Sequence, residues 1–289
     1  MPGPLLAVDA PSLLYRAFHA LPRSITTPEG TPVNALLGTA NLVLQAVERH
    51  DPRAVVLCFG EDAADYRVEL YDGYHAERPE MPAELVPQWE DAAAFFGAFG
   101  WSVLHAPGLE ADDLLGSLAS LEVAAGGRAL LFTGDRDMFQ CVGEQVAVLF
   151  PGGGRGEPEV IGPDEVHARY GVGPEQVPDF IALRGDPSDG LPGARGIGEK
   201  TARELLRDHG TLEALIAAAS SPRAELRPRI RAALSEDADA LRRFREIATL
   251  RHVDVERPPD APTDWTGAAA AARERGMNRL AERLEAHAA

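Results

Sequence analysis

The sequence predicts an α/β fold with a mostly parallel sheet in its first half, followed by a helical region. Short, continuous apolar runs alternate with longer segments of helical period over residues 1–160. Such runs are typical of strands that are buried on both faces of a parallel sheet. From residue 162 onward strand patterns thin out and helical patterns dominate. We therefore predict an α/β unit over residues 1–162 and a helical unit over residues 163–289.

The predicted elements alternate along the first unit. Five apolar runs are predicted strands: residues 5–8, 53–59, 101–104, 129–132 and 146–150. Four amphipathic segments are predicted helices: residues 13–20, 33–47, 83–99 and 111–125. The polar residues 61–82 have no clean period and form a long connection for a compact domain, which indicates a functional or mobile segment.

Composition excludes several classes of protein. The chain has 289 residues, of which 45% are apolar and 25% are charged, as in ordinary globular proteins. No stretch approaches the roughly 18 apolar residues of a membrane-spanning helix, and the first residues lack a signal-peptide pattern. The two cysteines are too few for a disulfide scaffold. These features predict a cytoplasmic protein with reduced thiols and no membrane partner, and the default expectation is a monomer.

The charge balance argues at first against a nucleic-acid partner. The chain has 45 acidic and 28 basic residues, a net charge of −17, whereas nucleic-acid binders usually carry a basic surface. The acidity is uneven, because residues 1–150 contain 21 acidic and 8 basic residues, and residues 151–289 contain 24 and 20. Lys200 is the one lysine among the 28 basic residues. The positions of the charges are therefore more informative than their sum.

Acidic residues cluster where three predicted strands end. One follows the first strand, a second group opens the helix at residues 111–125, and a third group follows the strand at 129–132. Because ligands of open α/β sheets bind beyond the carboxyl ends of the strands, these groups are expected to converge. They contain six carboxylates: Asp9, Glu110, Asp112, Asp113, Asp135 and Asp137.

The clustering of these carboxylates has two explanations, helix N-capping and metal binding. Helix N-capping explains one or two of them, but six like charges at one edge repel one another unless cations neutralise them. Carboxylate oxygens select hard ions such as Mg²⁺ or Mn²⁺. The motifs contain no His or Cys, which argues against a zinc site. Two such ions about 4 Å apart are the usual arrangement for phosphodiester chemistry. The sequence therefore predicts a divalent-metal site.

A glycine-rich segment, residues 185–202, contains the lone lysine. It is not a P-loop, because Glu199 separates the last glycine from Lys200. Its pattern predicts a glycine hairpin that opens a helix, whose free N–H groups bind a backbone phosphate. The alternative is a helix–turn–helix with glycines selected for close packing. Asp186 and Asp189, just upstream, are further candidate metal ligands.

Together these motifs resemble the bacterial 5′→3′ exonucleases of the flap-endonuclease superfamily, which include the N-terminal domain of DNA polymerase I and free-standing relatives. The resemblance spans residues 5–250 and rests on several motifs in the family's order. The matching motifs are Asp9, residues 13–22, Tyr66-Arg67, Tyr74 with Arg78, residues 110–113, residues 134–137 and residues 185–202.

The resemblance implies a fold and an activity. The fold would be a PIN-like 5′ nuclease core with a helical arch at residues 61–95 and a helix–hairpin–helix-type DNA-binding region. The activity would be that of a structure-specific 5′ nuclease, which hydrolyses DNA at 5′ ends, nicks or 5′ flaps and leaves 5′-phosphate and 3′-hydroxyl ends. The implied partner is duplex DNA with a 5′ single strand or flap, and a separate chain is expected to supply any DNA polymerase.

The resemblance also implies residue roles. Two Mg or Mn ions would be held, one by Asp9, Glu110 and Asp112 and the other by Asp137, Asp186 and Asp189, with Asp113 and Asp135 between or behind them. His75 and Arg78 would act at the scissile phosphate, and K⁺ is a candidate ion at the hairpin. The residues implied to contact DNA are Arg16, Tyr74, Gly193, Gly196, Ile197, Gly198, Lys200 and Thr201.

Two positions depart from the family pattern. Gly60 stands where the family has Asp, with Glu61 or Asp62 as candidate replacements, and His75 stands where it has Lys. If the missing carboxylate limits metal binding, Gly60→Asp is expected to raise Mg²⁺-supported cleavage. His75 replaces the lysine charge only when protonated. These departures favour a second functional hypothesis, a DNA-junction-binding protein with weak or no catalysis. A third hypothesis is an RNase of a related fold.

Two further features each have two interpretations. Tyr66 and Tyr74 either stack on unpaired bases or pack within the arch. The arginines between residues 221 and 251 form either a DNA-backbone face or a mixed, solvated helix surface. They are Arg223, Arg227, Arg229, Arg231, Arg242, Arg243, Arg245 and Arg251.

Overall fold

The computed structural model describes residues 3–152, 157–221 and 225–288 and confirms the mostly parallel sheet. The sheet has the spatial order β3-β2-β1-β4-β5-β6, in which β1 to β5 are parallel and β6 is antiparallel to β5. Its strands are β1 (Leu5–Asp9), β2 (Ala54–Gly60), β3 (Ser102–Ala106), β4 (Ala129–Phe132), β5 (Val146–Phe150) and β6 (Glu159–Ile161). The three-residue β6 is too short to have produced a sequence pattern.

Helices flank the sheet and make up most of the second half of the chain. In the first half they are α1 (Ala10–Ala20), α2 (Asn34–His50), α3 (Asp65–Leu70), α4 (Val86–Gly97) and α5 (Ala111–Ala124). The second half contributes α6 (Pro163–Tyr170), α7 (Val177–Arg184), α8 (Glu199–His209), α9 (Leu212–Ala219), α10 (Pro228–Glu236), α11 (Ala238–Ala248), α12 (Trp265–Glu274) and α13 (Asn278–Ala288). None of the helices within the described ranges is long and apolar enough to cross a membrane.

Both faces of the sheet are buried, because successive side chains of a strand point to opposite faces. Leu5 and Ala7 of β1 belong to a core that includes α5, α7, α8 and α11. Leu6 and Val8 belong to a second core that includes α1, α2 and α4. The continuous apolar runs of the strands follow from this double burial.

Part of the segment predicted to form the arch packs in the core. Residues 86–95 form most of α4, whose Ala92, Phe95 and Phe96 lie in the second core and whose Gln88 is buried. Residues 61–85 contain α3 and a run of turns. The arch at residues 61–95 stays a prediction.

The end of the chain returns to the first unit. Residues 251–264 have no regular secondary structure, and α12 and α13 pack in the same core as α1, α2 and α4. A buried ion pair helps to fix this segment, since the Arg53 guanidinium contacts Glu122 and donates to the Pro258 carbonyl at 2.7 Å. Arg257 also contacts Glu122, at 2.9 Å. The division of the chain at residues 162 and 163 stays a prediction.

Candidate nuclease site

A cleft of about 990 Å³ lies beyond the carboxyl ends of β1, β2 and β4. It brings together side chains from all three predicted acidic motifs and from the loop before the glycine hairpin. The carboxylates predicted as ligands that line it are Asp9, Glu110, Asp112, Asp135, Asp137 and Asp189. Asp113 and Asp186 are not among its lining residues.

A chain of hydrogen bonds organises the carboxylates around Thr133, a fully buried residue at the end of β4. Asp9 accepts from the Ser12 N–H at 3.0 Å and so caps α1, and it accepts from the Thr133 hydroxyl at 2.6 Å. The Thr133 oxygen accepts from the Asp135 N–H at 2.9 Å, and Asp135 in turn accepts from the Asp137 N–H at 2.8 Å. These bonds fix the carboxylates of Asp9 and Asp135, and the backbone of Asp137, at one edge of the sheet.

Burial and mutual repulsion disfavour the charged forms of these groups. Burial raises the pKa of Asp135 to about 6 and also raises the pKa of Asp9. For Asp112 and Asp137, burial and then the nearby negative charge of Asp135 hold the pKa well above its usual range. Carboxylates in this state are stabilised as anions by a cation placed among them.

The donor chemistry fits a hard divalent ion. Every cleft carboxylate supplies oxygen, the ligand atom preferred by Mg²⁺ and Mn²⁺. The cleft carboxylates are, however, spread apart. Within the described parts of the chain, no three His, Cys, Asp or Glu side chains are grouped closely enough to hold an ion. Some of the predicted ligands are instead engaged by other groups of the protein.

The role of Thr133 was not predicted from the sequence, because the prediction rested on acidic residues and a single threonine after a strand is not one of them. We expect Thr133→Val to weaken Mn²⁺ binding by about tenfold, since it removes a hydrogen bond to Asp9 and leaves the Asp135 N–H without its acceptor. Titration calorimetry on the DNA-free protein measures this, with Thr133→Ser, which keeps the hydroxyl, as the control. Equal Mn²⁺ affinity of the Val variant and the parent would refute the role of Thr133.

Glu110 is held by an internal cation. Its carboxylate contacts the buried Arg67 guanidinium at 2.8 Å and accepts from the Ala64 N–H at 2.8 Å and from the Tyr74 hydroxyl at 3.1 Å. Arg67 also donates to the Ile247 carbonyl at 3.0 Å, which ties this network to α11. Glu110 therefore lines the cleft with much of its hydrogen-bonding capacity already used.

Asp113 lies behind the cleft. It is fully buried and accepts from the Arg251 N–H at 2.7 Å and from the Tyr66 hydroxyl at 3.2 Å. The Arg67 guanidinium lies 3.5 Å away. These contacts attach α5 to the segment after α11, so the structure places Asp113 in a structural network.

Tyr66 and Tyr74 pack within the protein. They are 6% and 5% exposed, and their hydroxyls donate to Asp113 of α5 and to Glu110, which precedes α5, respectively. The Tyr74 ring stacks on His75 with ring centroids 4.0 Å apart. Tyr74 also lines the cleft, and its contact with DNA stays a prediction.

His75 connects the arch segment to the loop before the glycine hairpin. Its Nδ1 lies 2.6 Å from the Asp62 carbonyl oxygen and its Nε2 lies 3.2 Å from Asp189 Oδ1. The His75 contact occupies one oxygen of Asp189. Arg78 lies in the same cleft and donates to Asp62 Oδ1 at 2.9 Å.

Gly60 packs too closely against the start of α5 for any side chain. A Cβ built on it would lie 2.5 Å from the Ala111 nitrogen and 2.6 Å from the Leu109 carbonyl oxygen. The expectation that Gly60→Asp restores a metal ligand is therefore corrected, because the aspartate would displace the helix that carries Asp112. Glu61 and Asp62 do line the cleft, as candidate replacements.

The glycine-rich segment forms an exposed turn before α8. Gly193 and Gly196 have φ of +67° and +77°, which disfavour other residues. Gly196, Gly198 and Lys200 are exposed at the start of α8, where first-turn N–H groups are free to bind an anion. Ile197 is 3% exposed and its N–H is used by the Ala194 carbonyl. Ile197 therefore anchors the turn, and Thr201 follows within α8. Their contacts with DNA stay predictions.

The remaining basic candidates are mostly engaged with the protein. Arg16 donates to the Gly152 carbonyl. Arg242 contacts Glu213 at 3.0 Å, and Arg251 contacts Glu246 at 3.6 Å. These pairs favour a mixed helix surface over a continuous basic face. Arg223 lies outside the described residues.

Two family models match the chain in succession. The 5′-3′ exonuclease N-terminal resolvase-like domain matches residues 4–171, and the 5′-3′ exonuclease C-terminal SAM fold matches residues 172–266. A 5′-3′ exonuclease of Mycobacterium tuberculosis is 36% identical over 283 residues, which cover 90% of this chain and 88% of that protein. DNA polymerase I of the same organism is 37% identical over 258 residues, which cover 89% of this chain and 28% of the polymerase. The chain thus spans under a third of that relative's length.

Solved structures share the fold. T5 5′-exonuclease with bound divalent metal ions (zinc) has a TM-score of 0.70 at 15% identity, with 97% of each chain covered. The catalytic core of Rad2 in complex with DNA substrate has a TM-score of 0.66 at 13% identity, with 98% of this chain and 91% of that chain covered. At these identities the likeness shows a common fold.

Proposed function

Because the chain belongs to the 5′-3′ exonuclease family, we propose that it is a structure-specific 5′ nuclease that hydrolyses DNA at 5′ ends, nicks or 5′ flaps. The products would carry 5′-phosphate and 3′-hydroxyl ends. The observation that carries the proposal is the cleft in which carboxylates from three strand ends meet. Family membership agrees with the resemblance predicted from the motifs.

The cleft would hold divalent ions, Mg²⁺ or Mn²⁺, chiefly through Asp9, Asp112, Asp135 and Asp137. When bound, such ions supply charge neutralisation of the scissile phosphate and a water of lowered pKa. A second ion would draw on Asp137 together with Asp186 and Asp189, as the family pattern implies. The protein's own part includes holding Asp9 and the backbone of Asp135 in place through the hydrogen bonds of Thr133.

DNA binding would depend on local features, since the net charge of −17 opposes a polyanion. The exposed turn before α8 would hold a duplex phosphate through backbone N–H groups, with Lys200 beside them and K⁺ as a candidate ion. Arg78 and a protonated His75 would present positive charge to the phosphate in the cleft. We expect modest binding, because the contacts are few, and binding that weakens with salt, because the contacts are made to phosphates. We also propose that a DNA polymerase uses the processed end, because relatives named DNA polymerase I contain a similar segment.

A second candidate function is DNA-junction binding without catalysis. It is favoured by Gly60, which supplies no carboxylate, and by the engagement of Glu110 with Arg67. The two candidates make different predictions for a 5′-labelled flap substrate. A nuclease shortens the labelled strand, whereas a binding protein only retards it in a gel.

The test uses the wild-type protein with three labelled DNAs of equal length: a 5′ flap, a nicked duplex and a blunt duplex. We expect rapid cleavage of the flap and the nicked duplex in the presence of Mn²⁺ or Mg²⁺, and slower cleavage at the 5′ ends of the blunt duplex. Retardation of the flap without any product in either metal would favour the binding protein. Equal cleavage of all three DNAs would contradict structure specificity.

A further inference from the structure

Arg184, the last residue of α7, lies against aromatic rings beside the acidic cleft. Its guanidinium lies 5.2 Å from the Phe180 ring centroid and 5.8 Å from that of Tyr170, and its side chain is 18% exposed. Its Nη2 is 2.9 Å from Asp186 Oδ2. The rings restrict the side chain, so this ion pair is better fixed than most surface pairs.

The oxygens of Asp186 are already engaged. Oδ1 accepts from the Ser188 N–H at 2.9 Å and from the Ser188 hydroxyl, and Oδ2 accepts from Arg184. An ion that binds Asp186 must therefore displace at least one donor or approach an oxygen that is already shared. The loop donors are neutral, whereas Arg184 also brings a positive charge that repels an incoming cation.

The hydrogen-bonding capacity of the Arg184 guanidinium is not fully used. Its Nε is buried and has no hydrogen-bond partner in the part of the chain that the structure describes. Because this donor is unsatisfied, leaving the position costs the side chain less than leaving a fully bonded one.

We propose that Arg184 is a built-in competitor of the outer divalent ion for Asp186. It acts as a positioning residue, since it holds the carboxylate in place while no ion is bound and must withdraw when one binds. The proposal rests on the metal site of the proposed function. It predicts that Arg184 sets the affinity of the outer ion and leaves the inner ion, near Asp9 and Asp112, unaffected.

The experiment is a titration of MnCl₂ into the metal-free, DNA-free protein by calorimetry. Arg184→Met removes the charge and keeps an unbranched side chain to pack on Phe180 and Tyr170. We expect the weaker Mn²⁺-binding step to tighten by about tenfold in this variant, with the tighter step unchanged. Arg184→Lys, which keeps the charge, should remain close to the wild type. The matched control is Arg273→Met, which breaks the exposed pair of α12 with Glu285 outside the cleft.

A double variant keeps the test specific to Asp186. Adding Asp186→Asn to Arg184→Met should abolish the gain, because the carboxylate for which the two cations compete is gone. Unchanged or weaker Mn²⁺ binding by a folded Arg184→Met variant, verified by near-ultraviolet circular dichroism, would overturn the proposal. A gain that survives Asp186→Asn would also overturn it. If the protein shows these effects but cleaves no flap, the nuclease function fails and the competition stands.

Discussion

A double Asp135→Asn, Asp137→Asn variant is expected to cleave a 5′-labelled flap at least about a thousandfold more slowly than the wild type, a loss of ~4 kcal/mol in transition-state stabilisation. Both side chains line the cleft and follow Thr133 in its hydrogen-bond chain. Asparagine has nearly the same shape and keeps an oxygen that accepts from the residue 137 N–H. The change therefore removes charge and leaves the local fold intact. Single-turnover cleavage rates measure the effect.

The control for this variant places the same substitutions outside the cleft. Asp164 and Asp208 are exposed carboxylates of α6 and α8 that do not line it. Asp164→Asn, Asp208→Asn is expected to cleave at the wild-type rate. The catalytic variant should still retard the flap in a gel, since its removed charges repel DNA. Equal rates for the catalytic variant and the parent would contradict the assignment of these carboxylates.

Gly60→Asp is expected to lower the free energy of unfolding by about 3 kcal/mol, which is the upper range for overpacking a close contact. The new Cβ would overlap the backbone at the start of α5, where the Ala111 nitrogen is 2.5 Å away. Because this turn carries Asp112, metal binding should weaken along with stability. Urea unfolding followed by circular dichroism gives the stability, and Mn²⁺ titration gives the affinity.

Two alanine variants separate overpacking from a general effect of replacing glycine. Gly60→Ala adds only the Cβ and is expected to destabilise, whereas Gly97→Ala, at the end of α4 with open space around its Cβ, should be neutral or slightly stabilising. A Gly60→Asp protein of wild-type stability with faster Mg²⁺-supported cleavage would restore the missing-ligand explanation.

The sheet and the identity of the acidic motifs were predictable from sequence because both depend on short-range patterns. Strands buried on two faces must be continuously apolar, so β1, β2, β4 and β5 were visible as runs. Parallel strands bring their carboxyl ends to one edge, so Asp9, Asp112 and Asp135 were expected to meet there. The strand topology alone was therefore sufficient to predict that these carboxylates lie at one edge of the sheet.

The contacts that individual candidate metal ligands make within the protein were not predictable, because they involve residues that are distant in sequence. Arg67 reaches Glu110 across 43 positions, and His75 reaches Asp189 across 114 positions. The close approach of Gly60 to α5 likewise appears only when β2 and the helix are packed. Local sequence around Glu110 or Asp189 gives no sign of these partners.

The most direct measurement is metal restoration on the wild-type protein. The protein is stripped with EDTA, incubated with a 5′-labelled flap, and then supplied with Mg²⁺ or Mn²⁺, and the ends of the products are identified by phosphatase and ligase treatment. We predict no product before the metal is added and, afterwards, cleavage near the junction with a ligatable 5′-phosphate on the downstream strand. Cleavage in excess EDTA, or no cleavage in either metal despite flap binding, would contradict a divalent-metal 5′ nuclease.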